Sequence, residues 1–176
     1  SRKDMTGAKQ VSLRGLYPDQ SRYGTFSAFS LHQLALKSWQ LQAGLRYQHA
    51  IAALPDTTVG NANLSIGALV FDLGAAYLLS ERTTVFVGIS TGFRSPNLDD
   101  LGSLGVVDFR YELPAYSLKP EYSLNKQVGI RFNTPRWKSE VVVFHTQLTN
   151  LISRLKTAEV IQGYSVYKKE NVDQAY

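Results

Sequence analysis

From Trp39 to Gln48 the chain reads WQLQAGLRYQ, in which Trp39, Leu41, Ala43, Leu45 and Tyr47 alternate with Gln40, Gln42, Gly44, Arg46 and Gln48. Successive side chains of a strand point to opposite faces, so a strict period of two demands a β-strand with one apolar and one wetted face. The pattern returns with decreasing clarity. Leu69, Phe71, Leu73, Ala75, Tyr77 and Leu79 share one face opposite Asp72 and Gly74; Val85, Val87 and Ile89 oppose Thr84, Phe86, Gly88 and Ser90; Val128, Ile130 and Phe132 oppose Gln127, Gly129 and Arg131. In SEVVVFHTQL, residues 139–148, the run from Val141 to Phe144 is too uniformly apolar to assign faces. Segments near 24–34 and 164–176 complete about seven strands, so the expected class is all-β, an antiparallel meander.

The connections alternate in length. The turns at Leu36 to Ser38, Ser80 to Arg82 and Thr134 to Arg136 are short, whereas 50–63, 94–122 and 151–163 read as long connections. Short turns at one end and long loops at the other are the arrangement of outer-membrane β-barrels, in which the short side faces the periplasm. Trp39 and Trp137 each open a strand just after a short turn, which places both at one membrane interface, where amphipathic rings form a girdle. A soluble β-sandwich serving as a binding or adhesion module shares the alternation and the loops. Two features favour the barrel: apolar faces longer than the usual five or six residues of a soluble strand, and opposite faces rich in Gln, Thr, Ser and Gly, as a lumen requires.

Composition narrows the function classes. A chain of 176 residues suits one domain, and with 44% hydrophobic and 19% charged residues it is no disordered polar chain. No segment approaches the roughly 18 apolar residues of a spanning helix, which leaves open a crossing by strands of about 9–11 residues. The net charge of +5 is scattered, with no Lys/Arg run longer than Lys168–Lys169, so nucleic acid is not an expected partner. The absence of cysteine excludes disulfides, thiolate metal sites and cysteine nucleophiles. The start, SRKDMTGAKQ, lacks the apolar stretch of a signal peptide.

Two boxes carry more specific information. Gly92, Phe93, Arg94, Ser95, Pro96, Asn97 and Leu98 form GFRSPNL, and Leu118, Lys119, Pro120 and Glu121 form LKPE. Together they resemble the barrel of TonB-dependent outer-membrane receptors, in which a strand ending in GFR-small-Pro-Asn is followed by a variable loop and then by an Asn-Pro-x-Leu-Lys-Pro-Glu box. AGLRY at 43–47, VFHTQLTNLISR at 143–154 and YKKENVDQA at 167–175 are similar to neighbouring segments of that family in the same order, so the resemblance covers about residues 39–176. Where many members have Asn-Pro-Asn-Leu, this chain has Ala115, Tyr116, Ser117 and Leu118.

The resemblance implies active import of a scarce ligand, such as an iron-siderophore, cobalamin or another organic nutrient. It also implies a barrel of roughly 22 strands around a plug, outer-membrane lipid as surroundings, and TonB acting through the plug. Residues 1–176 are then a partial segment of a large transmembrane β-barrel, with neither plug domain nor signal peptide identifiable, and the poorly apolar NVDQAY before the end suggests that the chain stops inside a strand. Haem receptors of the family often carry a ligand histidine between the two boxes, and residues 97–119 contain none.

Candidate chemistry concentrates between the boxes. Arg94, Asn97, Asp99, Asp100, Arg110, Tyr111, Glu112 and Tyr116 are candidates for contact with a small-molecule or metal-chelate ligand, Phe109 adding a further ring. Adjacent Asp99 and Asp100 have no His or Glu at ligand spacing, so no metal site is expected. His32, His49 and His145 stand on different strands. No Gly-x-Ser-x-Gly elbow, phosphate loop or paired catalytic carboxylate appears, so neither an enzyme nor a cofactor is expected. Arg94 is expected to pair with Glu121 across the long loop, since a guanidinium binds carboxylates bidentately, while Pro96 and Pro120 end the ladders beside them.

Overall fold

A computed structural model describes residues 2–4, 11–13 and 15–175. Residues 5–10 of the basic start and Tyr176 lie outside the described residues. In chain order the elements are β1 (Arg2–Asp4), β2 (Val11–Leu13), β3 (Arg22–Leu36), β4 (Trp39–Leu54), β5 (Ala62–Ser80), β6 (Thr83–Arg94), α1 (Leu98–Gly102), β7 (Gly105–Val107), β8 (Arg110–Leu113), β9 (Glu121–Asn133), β10 (Lys138–Ile161) and β11 (Tyr164–Ala175). β1 and β2 pair as a separate antiparallel ribbon; all other described strands join one sheet in the order β3-β4-β5-β6-β9-β10-β11-β8-β7. The seven long strands thus form the expected antiparallel meander, and the sheet is open, with β3 and β7 at its ends.

Strand length separates the two architectures the alternation allows. The seven long strands run from 12 residues in β6 to 24 in β10, each more than the 9–11 needed to cross a bilayer. A sandwich buries its strands between two packed sheets. Here Leu34, Leu45, Leu69, Val87, Val128 and Val143 all stay exposed on one face of a single sheet.

The ladder registers fix that face across the whole meander, because directly opposed residues share a side. Leu34, Leu41 and Ala75 lie in one row with Val87, Val128 and Val143, and the next row carries Ala43, Leu73 and Ile89. On the other side Gln33, Gln42, Gly74, Gly88 and Gln127 form a row that bounds a groove, with Asp72 accepting from Gln42 Nε2 at 2.7 Å. The register also resolves the run the pattern left ambiguous: Val141 and Val143 lie with Ile130 and Val128, whereas Val142 and Phe144 lie with Gly129 and Gln127 on the polar face. That face holds Phe86 too. Its ring lies where a Cβ on Gly129 would stand, and the Arg131 guanidinium sits 5.5 Å from its centroid, so glycine makes room for a cation–π stack.

Two long connections need correction. Residues 151–163 are not a loop: β10 continues to Ile161, and the reversal is the two-residue turn Gln162–Gly163, both at positive φ (52° and 81°), the hairpin geometry whose twist matches its strands. The apolar period fades there because SRLKTAE continues past the length a bilayer covers, where both faces take polar residues. The connection after β4 is also shorter than 50–63, spanning only residues 55–61. The third, 94–122, is long and carries α1, β7 and β8.

Candidate functional site

The long-loop end of the sheet is built from the two boxes. β6 and β9 stay in register to their last pair, Arg94 with Glu121, and a proline then removes the N–H that would continue each ladder. Arg94 follows Gly88 at even spacing, so its side chain stands on the polar face, and it clamps Glu121 with Nε to Oε2 at 2.7 Å and Nη2 to Oε1 at 3.0 Å. The expected pair therefore forms, and bidentately. Glu121 Oε1 also accepts the Ile152 N–H of β10 at 2.7 Å, so its carboxylate takes over where β9 has ended.

Beyond Pro96 the chain folds back over the wall. Asn97 caps α1, its side chain accepting from the Asp100 N–H at 2.8 Å while Asp100 accepts from the Asn97 N–H at 3.1 Å, a reciprocal capping box. Leu101 buries itself with Ala52 and Leu54 of β4, Ala62 of β5, and Ala115 and Leu118 of the returning segment. Ala52 and Leu54 share parity with Gln42, so the segment packs on the polar side of the sheet. Gly102 is required by this seat, because a Cβ there would collide with the Leu54 side chain.

A chain of alternating charges fastens the fold-back. Asp100, only 8% exposed, accepts from Arg94 Nη1 at 2.7 Å and lies 3.5 Å from Lys169 Nζ. Lys169 in turn holds the Asp99 carboxylate and donates to its backbone carbonyl at 2.9 Å, while the Tyr17 hydroxyl donates to Asp99 from the other side at 2.9 Å. The Lys169 ammonium and the Tyr17 hydroxyl keep the Asp99 carboxyl below the usual carboxylate range against partial burial. Burial, then the hydrogen bond to Asp99, raises the Tyr17 phenol above its ordinary value. Further along, buried Glu112 of β8 receives Arg110 at 2.9 Å and Arg154 of β10 at 2.8 Å, beside the parallel pairing of β8 with β11.

The structure brings the boxes together through residues that the spacing argument did not single out. Asn171 accepts from the Lys119 N–H at 2.8 Å and donates through Nδ2 to the Lys119 and Asn150 carbonyls at 2.9 and 2.7 Å, latching the LKPE segment to β10 and β11. Asp56 receives the Tyr116 hydroxyl at 3.0 Å. Lys169 and Arg154 complete the charge chain. Asn171 and Lys169 had a signal as members of YKKENVDQA, and Arg154 as the last residue of VFHTQLTNLISR; nothing local marks Asp56.

Of the candidate contact residues, Arg94, Asp99, Asp100, Arg110 and Glu112 are thus engaged in ion pairs within the chain, Asn97 is a cap, and Tyr111 lies in β8 opposite Val166. Phe109 stands out at the β7–β8 turn, 91% exposed. Among the described residues no group of three or more His, Asp or Glu is placed to hold a metal. At the opposite end Trp39 and Trp137 are 48% and 58% exposed, and Tyr77 joins Trp39 with ring centroids 4.8 Å apart.

A one-layer meander of bilayer-length strands, apolar on one face and polar on the other, with a structured loop folded onto the polar side, defines the wall of a large transmembrane β-barrel. The chain belongs to the TonB-dependent receptor family: the family model for the TonB-dependent receptor-like β-barrel matches residues 3–176. Members of this family lie in the bacterial outer membrane. Similar solved structures include the copper transporter OprC (TM-score 0.72, 18% identity, covering 87% of this chain and 24% of that one). A second is a double mutant of the Serratia marcescens hemophore receptor HasR in complex with its hemophore HasA and heme (TM-score 0.75, 16% identity, 85% and 29%). A third is the siderophore receptor PirA from Pseudomonas aeruginosa (TM-score 0.58, 19% identity, 88% and 38%). The chain therefore spans between about a quarter and two fifths of the length of these receptors and transporters.

Proposed function

We propose that this chain forms wall and ligand-facing surface of an outer-membrane active-transport receptor that takes up a scarce ligand, an iron-siderophore, cobalamin or a similar organic nutrient. Energy reaches it from TonB through a plug domain of the full receptor. The chain does no covalent chemistry in this role. The observation that carries the reading is the loop between the two boxes: it folds back on the polar face and is held there by Arg94, Asp100 and Lys169, leaving Phe109 and the β7–β8 turn exposed as a contact surface. Asn97, Tyr111, Arg110 and Tyr116 line the same segment and supply polar and aromatic groups to an organic ligand.

The test is uptake. Cells deleted for the full-length gene are compared with complemented cells for accumulation of radiolabelled ferric hydroxamates, ferric catecholates and cobalamin, with and without functional TonB. The reading predicts that one of these accumulates only when both the gene and TonB are present. Accumulation of none of them, or accumulation that persists without TonB, contradicts it.

A further inference from the structure

At the short-turn end the charges are arranged differently from those around the two boxes. Lys37, Arg82, Arg136 and Lys138 stand exposed on or beside three consecutive turns, and Glu81 is the one carboxylate among the residues of those turns. None of the four cations forms an ion pair among the described residues, whereas Arg94, Lys169, Arg110 and Arg154 at the other end are all paired. Glu140, two residues beyond Lys138 on β10, is taken by Arg131 at 2.6 Å.

The turns are held in fixed relation to one another. Leu78 N–H donates to the Ser38 carbonyl and Asn133 N–H to the Arg82 carbonyl, both at 2.8 Å, and Thr134 and Trp137 close the third turn on each other at 3.0 Å. Successive turns are two strands apart, about 10 Å, which is about one Debye length at 0.1 M salt, so the fields of neighbouring turns still overlap at that ionic strength and below. Lys37 occupies a left-handed position, φ 50°, in a two-residue turn where glycine or asparagine would sit with less strain. Beside it lies a shallow cleft of about 400 Å³ lined by Leu36, Lys37, Ser38, Trp39 and Tyr77.

A cleft with an apolar wall, an aromatic pair and a cation at its mouth matches a molecule with a phosphate at one end and a hydrocarbon chain at the other. We propose that this rim is a binding surface for anionic phospholipid of the leaflet on the short-turn side. The phosphate sits against Lys37 with Arg82, Arg136 and Lys138 adding to the local potential, and the glycerol and upper acyl chain lie along Leu36, Trp39 and Tyr77. The inference rests on the membrane-spanning reading of the strands.

Full-length receptor in detergent is offered equimolar phosphatidylglycerol and phosphatidylethanolamine with matched acyl chains, and retained lipids are counted by native mass spectrometry. Wild type should enrich phosphatidylglycerol, and K37Q should weaken retention about fivefold, from roughly 1 kcal/mol for a basic residue at an anionic surface, with R82Q, R136Q and K138Q each weakening it less. Inorganic phosphate at the same concentration should not displace the lipid. Equal retention of the two lipids by wild type, or an undiminished preference in the fourfold variant, overturns the proposal, as does displacement by phosphate alone. Heat-modifiable gel migration reports the folded barrel separately: wild type without it would sink the membrane reading itself. Should the fourfold variant not fold, a salt series on wild type decides, since the preference must fall as ionic strength rises.

Discussion

Asp100 closes the capping box with Asn97, receives Arg94 and faces Lys169, and through it a five-residue helix is bound to both β6 and β11. A helix so short is not stable alone, so its order depends on these ties. Glu121 has a similar double duty toward Arg94 and the Ile152 N–H. Glu121→Ala should therefore loosen the fold-back by about 1–3 kcal/mol, the cost of leaving charged and buried partners unmatched, read as about 10- to 100-fold faster hydrogen exchange of the amides of residues 95–104 in the full receptor. Unchanged exchange would mean that packing of Leu101 alone holds the loop. The pH response has a definite sign. Because Asp99 titrates below its unfolded value, its contribution is complete above about pH 4 and is lost as pH falls through the depressed value. Loop protection should be flat from pH 7 to about 4 and drop below it, and Lys169→Met should shrink that acid-side transition, leaving the part that rests on the Tyr17 hydrogen bond and on the pairs of Arg94 with Asp100 and Glu121. At this scale the Arg94–Glu121 pair was legible, since two boxes with opposite charges bracket one loop. The contacts that Asp56, Arg154 and Asn171 make were not, because strand register and loop path decide which distant residues meet.

At the scale of elements, strict alternation located β4, β5, β6 and β9 with their faces, since each strand sets apolar rows on one side and Gln, Gly and Thr on the other. β10 resisted in two ways. Its middle places Val142 and Phe144 on the polar face, so the apolar run shows no period, and its upper part leaves the bilayer and loses the signal while the ladder continues. The face assignment makes a quantitative prediction. Leu45→Arg or Val87→Arg puts a charge toward lipid and should destabilise the full-length barrel by about 2–4 kcal/mol if near the midplane. Gln42→Arg, beside Asp72 on the polar side, should be tolerated. Urea titration in lipid vesicles measures all three; equal losses would refute the faces.

For the molecule as a whole, order carried more than any single motif. The boxes and the flanking strand segments agree with one another, and the family match over residues 3–176 agrees with both, whereas of the three connections read as long only 94–122 proved so. What a sequence of this length does not display is the ligand, because the residues best suited to touch one are held in ion pairs by the chain itself and the exposed surface they frame is small. The central claim is that one sheet divides lipid from lumen, and since residues 1–176 carry no cysteine, labels can be introduced one at a time within them. Single cysteines placed at successive positions from Leu41 to Tyr47 and from Val85 to Ile89 in the full-length receptor, spin-labelled and reconstituted in bilayers, report oxygen and nickel-chelate accessibility. The account predicts a period of two in both strands, with oxygen collisions high at Leu41, Leu45 and Val87 and chelate collisions high at Gln42, Gly44 and Gly88. Accessibility without alternation, or with the two sets exchanged, would contradict it.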